Sequence, residues 1–122
     1  MERKFDLEDR LINFSVTIIK LAEELPKSYA GNHLANQITR SGCSPALNYG
    51  EAQGAESRND FIHKMKIALK ELRETNNVLK IILKLNWLNI EKNEMILKEC
   101  NELIFIFVKS IETAKNNNQL KK

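Results

Sequence analysis

Hydrophobic residues recur every three or four positions over most of this chain, a spacing that places them on one face of an α-helix. Polar caps and breaks at Pro or Gly divide the pattern into four segments. Because the connections between the segments are short, the pattern predicts an all-α protein, an up-down-up-down four-helix bundle. The first predicted helix runs from Asp6 to Pro26, the second from Asn32 to Gly54, the third from Ser57 to Leu85, and the fourth from Asn89 to a polar tail.

A proline interrupts the second helical segment at position 45. Pro45 has no amide hydrogen to donate to the carbonyl of Ser41, and its ring clashes there, so we expect a proline-kinked second helix. A break into two shorter helices is the alternative. Gly42, which lies just before the proline, would let another helix approach closely.

Length and composition predict one domain over residues 1–115, followed by a frayed polar tail at 116–122. Cys43 and Cys100 are far apart and lack metal-ligand spacing, so we interpret them as reduced thiols of a cytoplasmic protein. No apolar run approaches the roughly 20 residues of a membrane helix. We therefore expect no membrane partner.

Two of the predicted helices carry more hydrophobic surface than one core needs. In the first, Ile12, Val16 and Ile19 form a second stripe, about 100° around the helix from the core-facing one. In the fourth, an unbroken apolar run contains Phe105 and Ile106. We predict that these five residues form an interface between copies of the chain, and hence a homo-oligomer.

Polar residues share one face of the second helix at Arg40, Ser44, Asn48 and Glu51, which are spaced by four, four and three positions. They could form a functional site beside the proline. In the structural interpretation, which we favour, Ser44 and Asn48 satisfy freed backbone groups. Arg40 and Glu51 then form ion pairs with the third helix or with a neighbouring copy.

The third helical segment has seven Lys or Arg residues and three acidic ones, an excess of four positive charges in a chain whose net charge is +3. Such a surface can bind phosphate groups, although a solvated helix face is the ordinary explanation. No aromatic platform lies among the cations, so any recognition of nucleic acid would follow backbone and shape. The predicted phosphate contacts are Lys64, Lys66, Lys70 and Arg73.

Catalytic patterns are missing from the sequence. A di-metal centre in a four-helix bundle needs Glu-x-x-His on two helices, and this chain has only a single Asp60-x-x-His63. There is no nucleophile elbow and no phosphate-binding glycine loop. We therefore predict a protein that is not an enzyme and has no metal site and no cofactor.

Several motifs carry a resemblance to a known protein family. They are RSGCSPALNYGEA at 40–52, AES at 55–57, DF at 60–61, Lys64 and ALKELRET at 68–75. With these motifs the chain resembles the four-helix-bundle proteins encoded in intervening sequences of bacterial large-subunit ribosomal RNA genes. The same family includes accessory proteins of diversity-generating retroelements. The resemblance implies a ring-like homopentamer and, in the retroelement branch, nucleic-acid binding, so RNA, DNA or a protein such as a reverse transcriptase are the expected partners.

The combined prediction is a non-enzymatic, self-assembling accessory protein that contacts structured RNA or DNA through its basic surface. The alternative is an oligomeric scaffold that binds other proteins and does not bind nucleic acid.

Overall fold

The computed structural model describes residues 6–120, which form four α-helices and no strand. Each helix packs against the next in the chain, and α1 meets α4 along a short stretch only. Connections of four or five residues join the helices. The protein is therefore the predicted all-α four-helix bundle. The helices are α1 at Leu7–Glu23, α2 at Tyr29–Gln53, α3 at Arg58–Leu85 and α4 at Ile90–Leu120.

Side-chain caps define where the helices begin. Asp6, Ser57 and Asn89 each accept a hydrogen bond of 3.0 Å from the amide three residues later, as their positions in the sequence predict. The predicted start of α2 at Asn32 is three residues too late, because Ser28 caps this helix in the same way at 3.1 Å. The predicted frayed tail, 116–122, extends beyond the described residues and stays a prediction.

The second helix continues through Pro45 without a break. The alternative of two shorter helices is therefore wrong, while the kink itself stays a prediction. Pro45 is buried, and the side chain of Asn48 donates hydrogen bonds to the carbonyl and the hydroxyl of Ser44, at 3.0 and 2.8 Å. Pro45 has no amide hydrogen and leaves one backbone hydrogen bond of the helix unmade. These side-chain bonds and the packing around Pro45 lie next to that gap.

A continuous apolar core runs through the bundle, and burial of each large side chain contributes about 1.5–3 kcal/mol. The second helix contributes mainly small residues to it, which allows its neighbours to pack closely. The largest fully buried apolar side chains are Leu11, Ile18 and Leu21 of α1, Ile38 of α2, Met65, Leu72, Leu79 and Ile82 of α3, and Leu103 and Phe107 of α4.

α1 and α2 pack tightly at Gly42. A Cβ atom at this position would lie 2.6 Å from Cγ2 of Ile18. The hydroxyl of Ser15 donates a hydrogen bond of 3.2 Å to the carbonyl of Gly42. The predicted close packing at Gly42 is confirmed, and it depends on the absence of a side chain there.

We expect Gly42→Ala and Gly50→Ala to change stability in opposite directions, although both replace a glycine of the same helix. Gly42→Ala overpacks the contact with Ile18 and should lower the free energy of unfolding by about 1–3 kcal/mol. Gly50 has nothing within 4 Å of an added Cβ, so Gly50→Ala should raise that free energy by about 0.5–1 kcal/mol. Urea denaturation measures both values, and equal effects of the two substitutions would contradict the packing described for α2.

Candidate nucleic-acid interface

Two acidic residues of α3 face α2, where both pair with Arg40. One guanidinium nitrogen, Nη1, lies 2.9 Å from Oε2 of Glu71, and the other, Nη2, pairs with Glu74. The hydrogen bond to Glu71 raises the pKa of Arg40, so the guanidinium stays charged. The pairing of Arg40 is therefore with the third helix of the same chain, and both glutamates are engaged.

A second charged member of the polar residues on this face of α2 also pairs with α3. Glu51 accepts a hydrogen bond of 2.7 Å from Nζ of Lys64, and this bond raises the pKa of Lys64. Ser44 and Asn48 bond to each other, as described above. We infer that the polar residues on this face of α2 hold α2 against α3, since both charged residues among them, Arg40 and Glu51, are paired across that contact.

Five cations of α3 lie on a different side of the helix, and we call them the basic stripe. All five are exposed, and none of them forms a salt bridge within residues 6–120. Their spacing keeps them on one side of the helix over a length of about 27 Å. Lys64 is not part of this set, because it faces α2. The basic stripe consists of Lys66, Lys70, Arg73, Lys80 and Lys84.

Like charges within the basic stripe repel one another. Lys66 and Lys70 are four residues apart, as are Lys80 and Lys84, and such pairs destabilise a helix by about 0.2–0.5 kcal/mol each. Neither pair is relieved by a carboxylate in the described part of the chain. A bound anion would reduce this repulsion.

The predicted interface residues lie on two helices, α1 and α4. On α1, Ile12, Val16 and Ile19 are 47%, 44% and 40% exposed. On α4, Phe105 is 61% exposed, whereas Ile106 is half-buried and packs against the core. We refer to the first three residues as the α1 patch and to Phe105 with its surroundings as the α4 patch.

A group of ion pairs that was not predicted from the sequence links the first helix to the last. The guanidinium of Arg10 donates from Nε and Nη2 to the two carboxylate oxygens of Glu99, both at 2.7 Å, and from Nη2 to Glu102 at 2.8 Å. The hydrogen bond to Glu99 is the main cause that raises the pKa of Arg10. No sequence signal could reveal this contact, because Arg10 and Glu99 are 89 residues apart in the chain.

The described residues offer little for catalysis. Within 6–120, no group of three or more His, Cys, Asp or Glu side chains could hold a metal ion. Burial raises the pKa of Cys100 to about 12, and its thiol lies 3.4 Å from the carbonyl of Leu72. Burial also raises the pKa of the half-buried Cys43. Both thiols are therefore protonated near neutral pH and are poor nucleophiles.

No helix in the described part of the chain has both the length and the apolar character that a membrane span requires.

Comparison with known proteins supports the fold and the resemblance. The family model of the 23S rRNA-intervening sequence proteins matches residues 3–109. A crystal structure of a protein of unknown function from the S23 ribosomal protein family of Bacteroides thetaiotaomicron is similar to this chain, with 33% sequence identity and a TM-score of 0.81. The match covers 87% of this chain and 98% of that one. None of the curated proteins matches the chain.

Proposed function

Because this chain belongs to the 23S rRNA-intervening sequence protein family, we propose that it is a non-enzymatic, self-assembling accessory protein whose basic stripe binds the phosphate backbone of structured RNA. One observation carries the proposal: the charges of α3 are segregated by face. Glu71 and Glu74 are engaged by Arg40 on the side of α2, while the cations of the stripe have no acidic partner among the described residues.

The form of the stripe suits contact with a sugar–phosphate backbone. It is about 27 Å long and nearly straight, since it follows one helix face. It has no aromatic side chain on which a base could stack, so recognition would depend on the shape of the RNA helix and on its phosphates. Each phosphate neutralised releases counterions, and the logarithm of the association constant should therefore fall linearly with the logarithm of salt concentration.

We further propose that the α1 patch of one copy packs on the α4 patch of the next. The two patches lie on different helices, and joining unlike surfaces head to tail generates a ring when the rotation closes. Exposed apolar side chains on both patches support this arrangement. The family resemblance makes a homopentamer the expected size.

The same exposed apolar patches favour the second candidate function, a scaffold that binds another protein. In that case the stripe would be an ordinary solvated helix face. Binding of RNA with strong salt dependence separates the two candidates, because only the first requires it.

Charge reversal within the stripe should weaken RNA binding strongly. In the double variant Lys66→Glu, Lys70→Glu, we expect the affinity for a structured RNA hairpin to fall at least about 100-fold and the salt slope to decrease by about 2. Fluorescence anisotropy at several salt concentrations measures both quantities. Circular dichroism checks that the variant remains helical.

The matched control is Lys20→Glu, Lys27→Glu, which makes the same change in net charge at exposed residues outside α3. It should keep most of the affinity and the full salt slope. An equal loss in both variants would mean that only net charge matters. Undiminished binding by the Lys66, Lys70 variant would remove the stripe from the interface.

Self-assembly should depend on the patches and not on exposed apolar residues in general. Val16→Glu or Phe105→Glu would bury a charge in the proposed interface, so each should give a helical monomer by light scattering. Ile81→Glu is the control, because Ile81 is 47% exposed but lies on α3 outside both patches. A wild-type mass for the first two variants, or dissociation by the third alone, would contradict this interface.

A further inference from the structure

A polar cavity opens between α3 and α4 along the basic stripe, with a volume of about 330 Å³. It is lined by Arg73, Asn76, Asn77, Lys80, Asn101 and Ile104. Its four residues from α3 have the spacing i, i+3, i+4, i+7, which places them together on one helix face. No acidic side chain is among the lining residues, so the cavity is positively charged and rich in hydrogen-bond donors.

The amide groups of the cavity are arranged by one internal hydrogen bond. Asn76 is only 6% exposed, and its Nδ2 donates to Oδ1 of Asn101 at 2.7 Å. Because this bond uses the carbonyl oxygen of Asn101, the amide hydrogens of the same side chain stay available. Within residues 6–120 no acceptor takes them, and the exposed side chain of Asn77 has no partner either.

The two cations of the cavity, Arg73 and Lys80, are spaced so that they could contact an RNA chain on either side of it. Arg73 and Lys80 are seven residues apart, which is about 10 Å along the helix axis. Their long side chains can therefore each contact a different phosphate, with one nucleotide between them. A nucleotide in that position would lie over Asn77, whose amide can both donate to and accept from a base edge, and over Asn101, whose amide hydrogens can donate.

We infer that this cavity takes one unpaired nucleotide of a bound RNA, with its flanking phosphates on Arg73 and Lys80 and its base between Ile104 and the free amides. The volume is that of a small-ligand pocket, and unpaired bases are the part of RNA whose edges a protein can reach. The inference rests on the proposed function. It adds that the protein prefers RNA with an unpaired loop over a perfect duplex.

The substitution Asn101→Asp tests the cavity without removing its internal bond. Its carboxylate can still accept from Asn76, but it offers no donor and adds a negative charge beside Arg73 and Lys80. Affinities for an RNA hairpin with an unpaired loop and for a fully paired RNA duplex of equal length are measured by anisotropy. We expect the wild-type protein to favour the hairpin, and Asn101→Asp to reduce this preference about tenfold.

The matched control is Asn116→Asp, the same substitution at an exposed site on the same helix, 15 residues away. It should leave the preference unchanged. If Asn101→Asp also leaves the preference unchanged while both RNAs bind with strong salt dependence, the cavity is not a nucleotide site although the stripe remains. If neither RNA binds at low salt, the proposed function fails and the inference fails with it.

Free adenosine 5′-monophosphate, added as a competitor, distinguishes a nucleotide within RNA from a free one. It should displace the hairpin poorly, because it has one phosphate and cannot contact the rest of the stripe. Efficient displacement would assign the cavity to a free nucleotide and overturn the inference.

Discussion

The pairing of Arg40 with Glu71 and Glu74 determines the electrostatic character of α3. The Arg40 side chain is 56% exposed, and such surface pairs contribute at most about 1 kcal/mol to stability. These pairs have a larger effect on the distribution of charge over the surface of α3. Without Arg40, two carboxylates would lie uncompensated within a Debye length, about 8–10 Å, of the stripe and would offset much of its field. With Arg40, one of these two negative charges is offset, so the positive field of the stripe is reduced less.

Close packing of α2 makes that pairing possible. Small buried residues such as Ser41 and Gly42 let α2 approach both neighbours. The hydroxyl of Thr75 donates to that of Ser41 at 2.8 Å inside the bundle, next to the Arg40 pairs on the surface. A larger side chain at Ser41 would move α2 away from α3 and lengthen the ion pairs. The fold and the charge pattern therefore depend on the same contact.

Local patterns in the sequence predict most of this fold and less of the site. Caps such as Ser57 and the hydrophobic period depend on neighbouring residues, so they can be read directly from the chain. The continuity of α2 through Pro45 depends on packing against other helices, which outweighs the local preference for a break. The sequence also grouped Lys64 with the other cations of α3, because it gives composition but not the partner across the bundle, Glu51.

The cavity between α3 and α4 could not be predicted from the sequence for the same reason. Asn76 and Asn77 between two cations are an unusual set of polar residues on a helix face, and this signal was available. Their meaning depends on Asn101, which is 25 residues away and brought close only by the packing of α3 on α4. Long-range pairs of this kind, like the Arg10 contacts, appear only when the helices are assembled.

The most direct test of the charge segregation on α3 is lysine footprinting of the wild-type protein, with and without a structured RNA hairpin at low salt. Acetylation rates read by mass spectrometry should fall at Lys66, Lys70, Lys80 and Lys84 when RNA is bound. Rates at Lys20 and Lys27, which lie outside α3, should not change. Protection spread evenly over all exposed lysines, or confined to Lys20 and Lys27, would contradict the account.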